Sequence, residues 1–263
     1  MKIFTAICFI LMFSNLIKGQ DIQEYTVPLS DPSKKGTLEV SLHNGSVTVE
    51  GYAGSEVKVT VMAITEEDQE TEVREGLRKV QKTASDLEIR EHDNVVDIAG
   101  GHSHQINLKI QVPTNFDLSI GTHHNGPVMV SNIKGTLEVN AHHGGITAEK
   151  IAGSLVADTH HGTIKASFTQ VDPGSPMAFS TYHGDVDITL PSNANFNAKV
   201  KSTKGDIFTD FDIDLSVQPA EEKTRSDGSK AIKLSGWMVG QIGSGGEEYM
   251  FTTYHGDILM RKS

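Results

Sequence analysis

One 24-residue passage occurs twice in this chain. Residues 36–59 read GTLEVSLHNGSVTVEGYAGSEVKV and residues 135–158 read GTLEVNAHHGGITAEKIAGSLVAD, with 13 identical positions and no gap. The second copy then repeats on itself: the segment beginning at Gly135 is followed 18 residues later by GSLVADTHHGTI from Gly153. A period this short marks a stacked architecture, in which each repeat buries its apolar face only against its neighbours.

The repeat has two parts. Glycine followed two residues on by Ile or Val recurs at Gly45, Gly126, Gly144, Gly162, Gly184, Gly205 and Gly256, with steps of 18, 18, 22 and 21 from Gly126 to Gly205. A second glycine corner, Gly-x-Leu, lies between several of these at Gly36, Gly135 and Gly153. After each corner comes a short alternating run, such as Leu137-Glu138-Val139 or Val186 to Leu190. Alternation at period two is the pattern of a half-buried strand, and glycine supplies the positive φ and close approach that a sharp bend needs. Two strands and two corners in 18–22 residues predict one coil of a parallel β-helix, right-handed because parallel crossovers overwhelmingly are. A β-sandwich is the competing architecture. The expected lumen residues are Val47, Val128, Val139, Ile146, Leu155, Ile164, Val186, Ile188, Ile207 and Ile258.

The chain opens with Met1-Lys2, an apolar run and Ile17-Lys18-Gly19, which reads as a secretory signal peptide over 1–19. The single β-helix domain is then 20–263, with polar insertions near 65–94 and 214–236. Within the first, Glu70/Arg74 and Glu75/Lys79 are spaced for a short helix with Val73, Leu77 and Val80 on one face. The second reads as a long surface loop. Val112-Pro113 and Leu190-Pro191 each end a strand, and both are followed by Asn-Phe (Asn115-Phe116, Asn195-Phe196).

The only cysteine, Cys8, falls inside the leader, so the mature chain has no disulfide, thiolate nucleophile or thiolate ligand. Removing Lys2 and Lys18 with the leader takes the formal charge from −11 to −13. An acidic chain without a basic run is unsuited to nucleic acid, whose binding relies on Lys and Arg. No second apolar stretch is long enough for a membrane span.

The run Asn132 to Val139 (Asn-x-x-Gly-x-Leu-x-Val), the strand-ending Val112-Pro113 and Leu190-Pro191, Gly245-Gly246 before Thr253 to Ile258, and the basic end Arg261-Lys262 together resemble a bacterial family of β-strand repeats. That family carries the label "putative adhesin", a domain of unknown function, and the likeness spans about Tyr25 to Lys262. The resemblance implies a β-helical extracytoplasmic protein, periplasmic, cell-surface or secreted, with no assigned catalysis and no catalytic residues to transfer. Its partner would be a glycan or a protein of the envelope or the exterior. This chain departs from the pattern in placing histidine repeatedly before the corner glycine.

Twelve histidines are many for 263 residues. His124, His143, His161, His183 and His255 stand at the same repeat corner, and His123, His142 and His160 precede three of them. Tyr182 and Tyr254 take that preceding place in two identical pentapeptides, Thr181 to Asp185 and Thr253 to Asp257. His124, His143, His161 and His183 should therefore form a column, with coupled titration between about pH 5 and 8. Neighbouring imidazoles in such a column can share Zn²⁺, Cu²⁺ or Ni²⁺, with Asp185 and Asp257 as added oxygen ligands. Alternatively, the rings only stack beside the corner. Asp185, Asp206 and Asp257 follow the corner glycine, as turn residues, as Ca²⁺ ligands or as the paired acids of a polysaccharide-active enzyme. Tyr182, Tyr254 and Trp237 are either a sugar-stacking surface or corner packing. The sequence holds no P-loop, His-Glu-x-x-His, nucleophile elbow or dinucleotide fingerprint. The expected protein is non-enzymatic, with no obligatory cofactor.

Overall fold

The computed structural model describes residues 20–64, 73–74, 77–78, 86–102, 104–124, 126–218, 221–224, 230–233 and 236–263. The expected signal peptide lies outside the described residues, as does most of the first insertion. The described chain is all-β, without a helix, and twenty strands join into one sheet of mixed but mainly parallel pairing.

The strands fall into two columns: the corners at Gly45, Gly126, Gly144, Gly162, Gly184, Gly205 and Gly256 carry the chain from the first column to the second, whereas Gly36, Gly135 and Gly153 stand where first-column strands begin. The stack has eight rungs among the described residues. In spatial order, rung 1 is Val95–Gly100 with Ile106–Pro113, and rung 2 is Gly36–Asn44 with Val47–Tyr52. Rung 3 is Phe116–His124 with Val128–Ser131. The long strand Ile146–His161 serves two rungs: its first part completes rung 4, begun by Lys134–His143, and its second part begins rung 5, completed by Ile164–Val171. Rung 6 is Met177–His183 with Val186–Leu190, rung 7 is Glu248–His255 with Ile258–Lys262, and rung 8 is Phe196–Ser202 with Ile207–Thr209.

The middle rungs follow the chain, as the 18-residue step predicts. The ends do not. Rung 2 is made before rung 1, and rung 8 before rung 7, so a later segment inserts beside an earlier one at each end. The first parts of the two copies, residues 36–52 and 135–149, accordingly sit in rungs 2 and 4, separated by a single rung despite 99 residues of sequence. The copies then part, Glu56–Ile64 running antiparallel beside rung 1 and residues 153–158 beginning rung 5.

A second difference from a purely parallel coil concerns the edges. Rung 1 is flanked by antiparallel strands, Glu88–His92 in the first column and Glu56–Ile64 with Gln20–Pro28 in the second. Rung 8 is flanked by antiparallel Met238–Ile242. An open parallel stack would leave unpaired N–H and C=O groups at each end, and these strands cover them. In place of the expected helix, Val73–Arg74 pairs antiparallel with Leu77–Arg78; Glu70, Glu75, Lys79 and Val80 lie outside the described residues. In the second insertion Glu221–Thr224 pairs antiparallel with Lys230–Lys233, so the expected loop holds two paired strands.

The core follows from register. Leu108, Val47, Val128, Ile146, Ile164, Val186, Ile258 and Ile207 occupy one position through the eight rungs of the second column. All are fully buried except Ile207, which is partly exposed because no further second-column strand covers the last rung. The other expected lumen residues, Val139, Leu155 and Ile188, are also buried. Phe116 and Phe196 begin equivalent first-column strands and are buried, so the Asn-Phe echo after each proline marks the return to that column.

Candidate functional site

At the end of each first-column strand the inward–outward alternation breaks. In rung 5 Thr159 is buried and both His160 and His161 are exposed; rung 6 repeats this with Thr181, Tyr182 and His183. Two side chains per rung thus project at the same corner. The inward threonine has a fixed partner: Thr159, Thr181 and Thr253 donate to the carbonyls of Gly144, Gly162 and Gly184 in the preceding rung, at 2.8–2.9 Å. Ser202 does the same to Gly256. Each hydroxyl satisfies a partly buried carbonyl and clamps one corner to the next.

The projecting rings form two parallel ladders. The outer ladder runs His102, His43, His123, His142, His160, Tyr182, Tyr254, with centroids 4.8–5.3 Å apart. The inner ladder runs His124, His143, His161, His183, His255, at 4.8–5.5 Å. From His43 to Tyr254 successive outer rings are within 7° of parallel, whereas His102 is tilted 29° to His43. Within a rung the two rings meet edge to face, for example His142 and His143 at 4.3 Å and 64°.

The structure therefore gathers His124, His143, His161 and His183 along one edge in rung order, with adjacent rings stacked face to face. Coordinating lone pairs lie in the ring plane, so stacked rings present them side by side. In rungs 4 and 5 the nitrogens also engage each other, His142 Nδ1 with His143 Nδ1 at 2.8 Å and His160 Nδ1 with His161 Nδ1 at 2.9 Å. One Nδ1 of each pair donates and the other accepts, so the two rings differ in whether Nδ1 carries a proton. Partial desolvation first, and then the neighbouring imidazoles, hold His124, His142 and His161 below the ordinary histidine pKa.

The sequence reading left His43 and His102 out of the column. The signal for His43 was present, because it aligns with His142 in the 24-residue repeat. His102 follows an unrelated Gly-Gly pair, and only the out-of-order placement of rung 1 brings it beside His43. Asn44 stands where the other corners carry their inner histidine, paired in register with His124. The inner ladder therefore stops at His124, whose plane is turned 84° to His43. Here one ligand nitrogen from each of His43, His123 and His124 lies within 4.8 Å of the others, the one such group of three among the described residues.

The corner aspartates have a different task. Asp185 Oδ1 accepts the Asp257 N–H at 2.8 Å, and Asp257 Oδ1 accepts the Asp206 N–H at 2.9 Å. They cap the next rung in the order 6, 7, 8. Tyr182 and Tyr254 stack at 4.8 Å, so both faces of Tyr182 are covered by rings, while Lys199 and Lys201 lie over the Trp237 ring. At the other corner a shallow groove is lined by Lys35, Lys134, Thr136, Ser154 and Asp172. The Asp172 carboxylate there accepts from Gly174 N–H and the Ser175 hydroxyl, which lowers its pKa.

An all-β stack of glycine-cornered rungs, with an exposed ring ladder on one edge, defines a solenoid-like repeat protein. The chain belongs to the Toastrack DUF4097 family, whose profile matches residues 5–259. Among solved structures it is similar to a Clostridium sporogenes protein provisionally named a cell adhesion protein, with 10% identity and a TM-score of 0.51 over 92% of this chain and 100% of that one. It is also similar to a Bacteroides fragilis protein provisionally named an adhesin, with 10% identity and a TM-score of 0.43 over 92% and 97% of the two chains. The first likeness is one of fold. No curated protein matches the sequence.

Proposed function

We propose that this protein is a non-enzymatic, extracytoplasmic binding module, a right-handed β-helix that uses its ring ladder as a contact edge for an extended polymer. The carrying observation is the ladder itself: exposed rings about one strand spacing apart, over seven rungs of a stack with a continuous apolar core. Such an edge offers a repeating set of N–H donors and nitrogen acceptors, which suits a partner that also repeats, such as an envelope glycan. The ring faces are largely covered by one another, so recognition would run through ring edges by hydrogen bonds rather than by sugars stacked on faces. The capping role of Asp185 and Asp257 favours binding over acid–base hydrolysis, because each carboxylate already accepts a backbone N–H. The leader-like start at Met1 to Gly19 supports export, to the periplasm, the cell surface or the medium.

Screening the purified protein against a glycan panel, for retention and cleavage together, tests this. Retention that falls when His142 and His160 are changed to Ala supports the reading. Reproducible product release overturns it in favour of a polysaccharide-active enzyme. A second reading, divalent metal shared along His124, His143, His161 and His183, rests on their alignment in one column.

A further inference from the structure

The place where the inner ladder ends is chemically unlike its middle. In rungs 4 and 5 each histidine pair is joined by an Nδ1···Nδ1 hydrogen bond, His143 Nδ1 also lying 3.3 Å from the His123 carbonyl oxygen, and stacking aligns the rings of successive rungs. In rung 3 no such bond joins His123 to His124 among the described residues; the two rings meet at 4.3 Å and 79°. Rung 2 contributes one ring, His43, parallel to His123 and perpendicular to His124. Substitution of the inner histidine by Asn44 removes the ring that would otherwise stack beneath His124.

We propose that His43, His123 and His124 form a binding site for one borderline divalent ion, Zn²⁺, Ni²⁺ or Cu²⁺. Neutral imidazole suits these ions. Three nitrogens held at 2.0–2.1 Å from a tetrahedral ion are about 3.3 Å apart. The observed ligand atoms lie within 4.8 Å of one another, so closure needs shifts of about 1.5 Å or less, within the reach of small side-chain torsions. His123 and His124 are exposed and His43 half-buried, so the rings can turn without disturbing the core. The protein supplies three ligands and leaves the fourth position to water, the arrangement of an open site rather than a closed structural one. Binding releases whatever protons the three nitrogens carry. The site differs from the column of His124, His143, His161 and His183, with which it shares only His124.

The inference stands apart from polymer binding, because the ion alone is the probe and failure of either leaves the other untouched. Calorimetric titration of Zn²⁺ into untagged protein should give one ion per chain. His43→Asn and His124→Asn should each weaken binding at least tenfold. A His160→Asn/His161→Asn double variant, two rungs away, should bind within about twofold of wild type. Imidazole ¹⁵N spectra of the unaltered protein provide a readout that needs no variant: the first equivalent of Zn²⁺ should shift the His43, His123 and His124 nitrogens most. Absence of binding overturns the proposal. So does a stoichiometry above one with equal loss in the rung-5 variant, or a first equivalent that shifts the His142, His143, His160 and His161 rings instead.

Discussion

Replacing Gly162 by alanine tests the corner that carries the ladder. An added Cβ would lie 2.4 Å from the Gly144 carbonyl oxygen and 2.6 Å from its carbon, where ordinary contact begins at 3.4 Å. The obstacle is backbone, so a rung must move by about 1 Å rather than a side chain turning aside. That backbone is fixed on both sides: Gly144 N–H donates to His161 O at 3.0 Å, and Gly162 N–H to His183 O at 2.8 Å. Overpacking costs about 1–3 kcal/mol, and a weakened ladder hydrogen bond about 1 more. The expected loss is about 2–4 kcal/mol, which for a chain of this size lowers Tm by roughly 5–15 °C. Gly144 and Gly162 are not in the left-handed region, so the requirement there is space rather than the positive φ expected of a corner glycine. Gly121→Ala is the control, because its Cβ would meet Val40 O at an ordinary 3.8 Å; it should be neutral or stabilise by up to about 1 kcal/mol. Both variants are compared by thermal melts followed by far-UV circular dichroism. If Gly162→Ala melts with wild type, or both variants melt alike, the close-packed corner is wrong.

Two further outcomes follow from burial and charge. Ile164→Ala should cost about 2–4 kcal/mol, as expected for a large aliphatic side chain removed from a core, and Ile207→Ala distinctly less because the terminal rung leaves it partly exposed; urea unfolding midpoints of the two variants check the order. His124, His142 and His161 titrate below the ordinary value near 6.5, so near and below that pH the unfolded chain binds more protons than the folded one. Their contribution to stability is therefore fully present above about pH 6.5 and is lost as pH falls toward their folded pKa values; Tm should drop between pH 7.5 and 5, and less steeply in a His142→Asn/His161→Asn variant.

The middle of the fold was legible because its rules are local. Gly144, Gly162 and Gly184, each followed two residues on by Ile or Val, carry period and register at once, and the strands between them are wound in chain order. What escaped is non-local. No spacing in the sequence says that Val95–Gly100 pairs beneath Gly36–Asn44, or that Glu248–His255 enters between Met177–His183 and Phe196–Ser202. The helix expected around Val73 to Val80 came from i,i+4 charge pairs, a weak signal of a few tenths of a kcal/mol that tertiary context readily overrides. The histidine column was readable as far as the unbroken repeat extends. That His43 carries on the column was written in its alignment with His142, but that it lies beside His123, and His102 beside His43, depends on the two displaced rungs at one end.

The corner also explains why histidine, rather than another polar residue, lines this edge. Side chains repeated every rung must tolerate like neighbours at about 5 Å. Permanent charges of one sign would repel along the whole column. The corner aspartates avoid unrelieved repulsion because Asp185 and Asp257 each hold a backbone N–H of the next rung. Imidazole is flat enough to stack and neutral above its pKa, and the depression of His124, His142 and His161 records both partial desolvation and the resistance of the stack to charging. The three depressed imidazoles, His124, His142 and His161, therefore favour the uncharged form on a chain of formal charge −11. Protonating His124, His142 or His161 takes a lower pH than for a free imidazole, and each proton taken up adds positive charge beside its stacked neighbours. The ring pairs would then lose the acceptor nitrogen on which each Nδ1···Nδ1 bond depends, so protonation acts on both the charge and the hydrogen bonding of the ladder. The contact edge proposed above would on this reading favour a neutral, hydrogen-bonding partner over a cationic one, because stacked imidazoles that resist protonation keep their acceptor nitrogens.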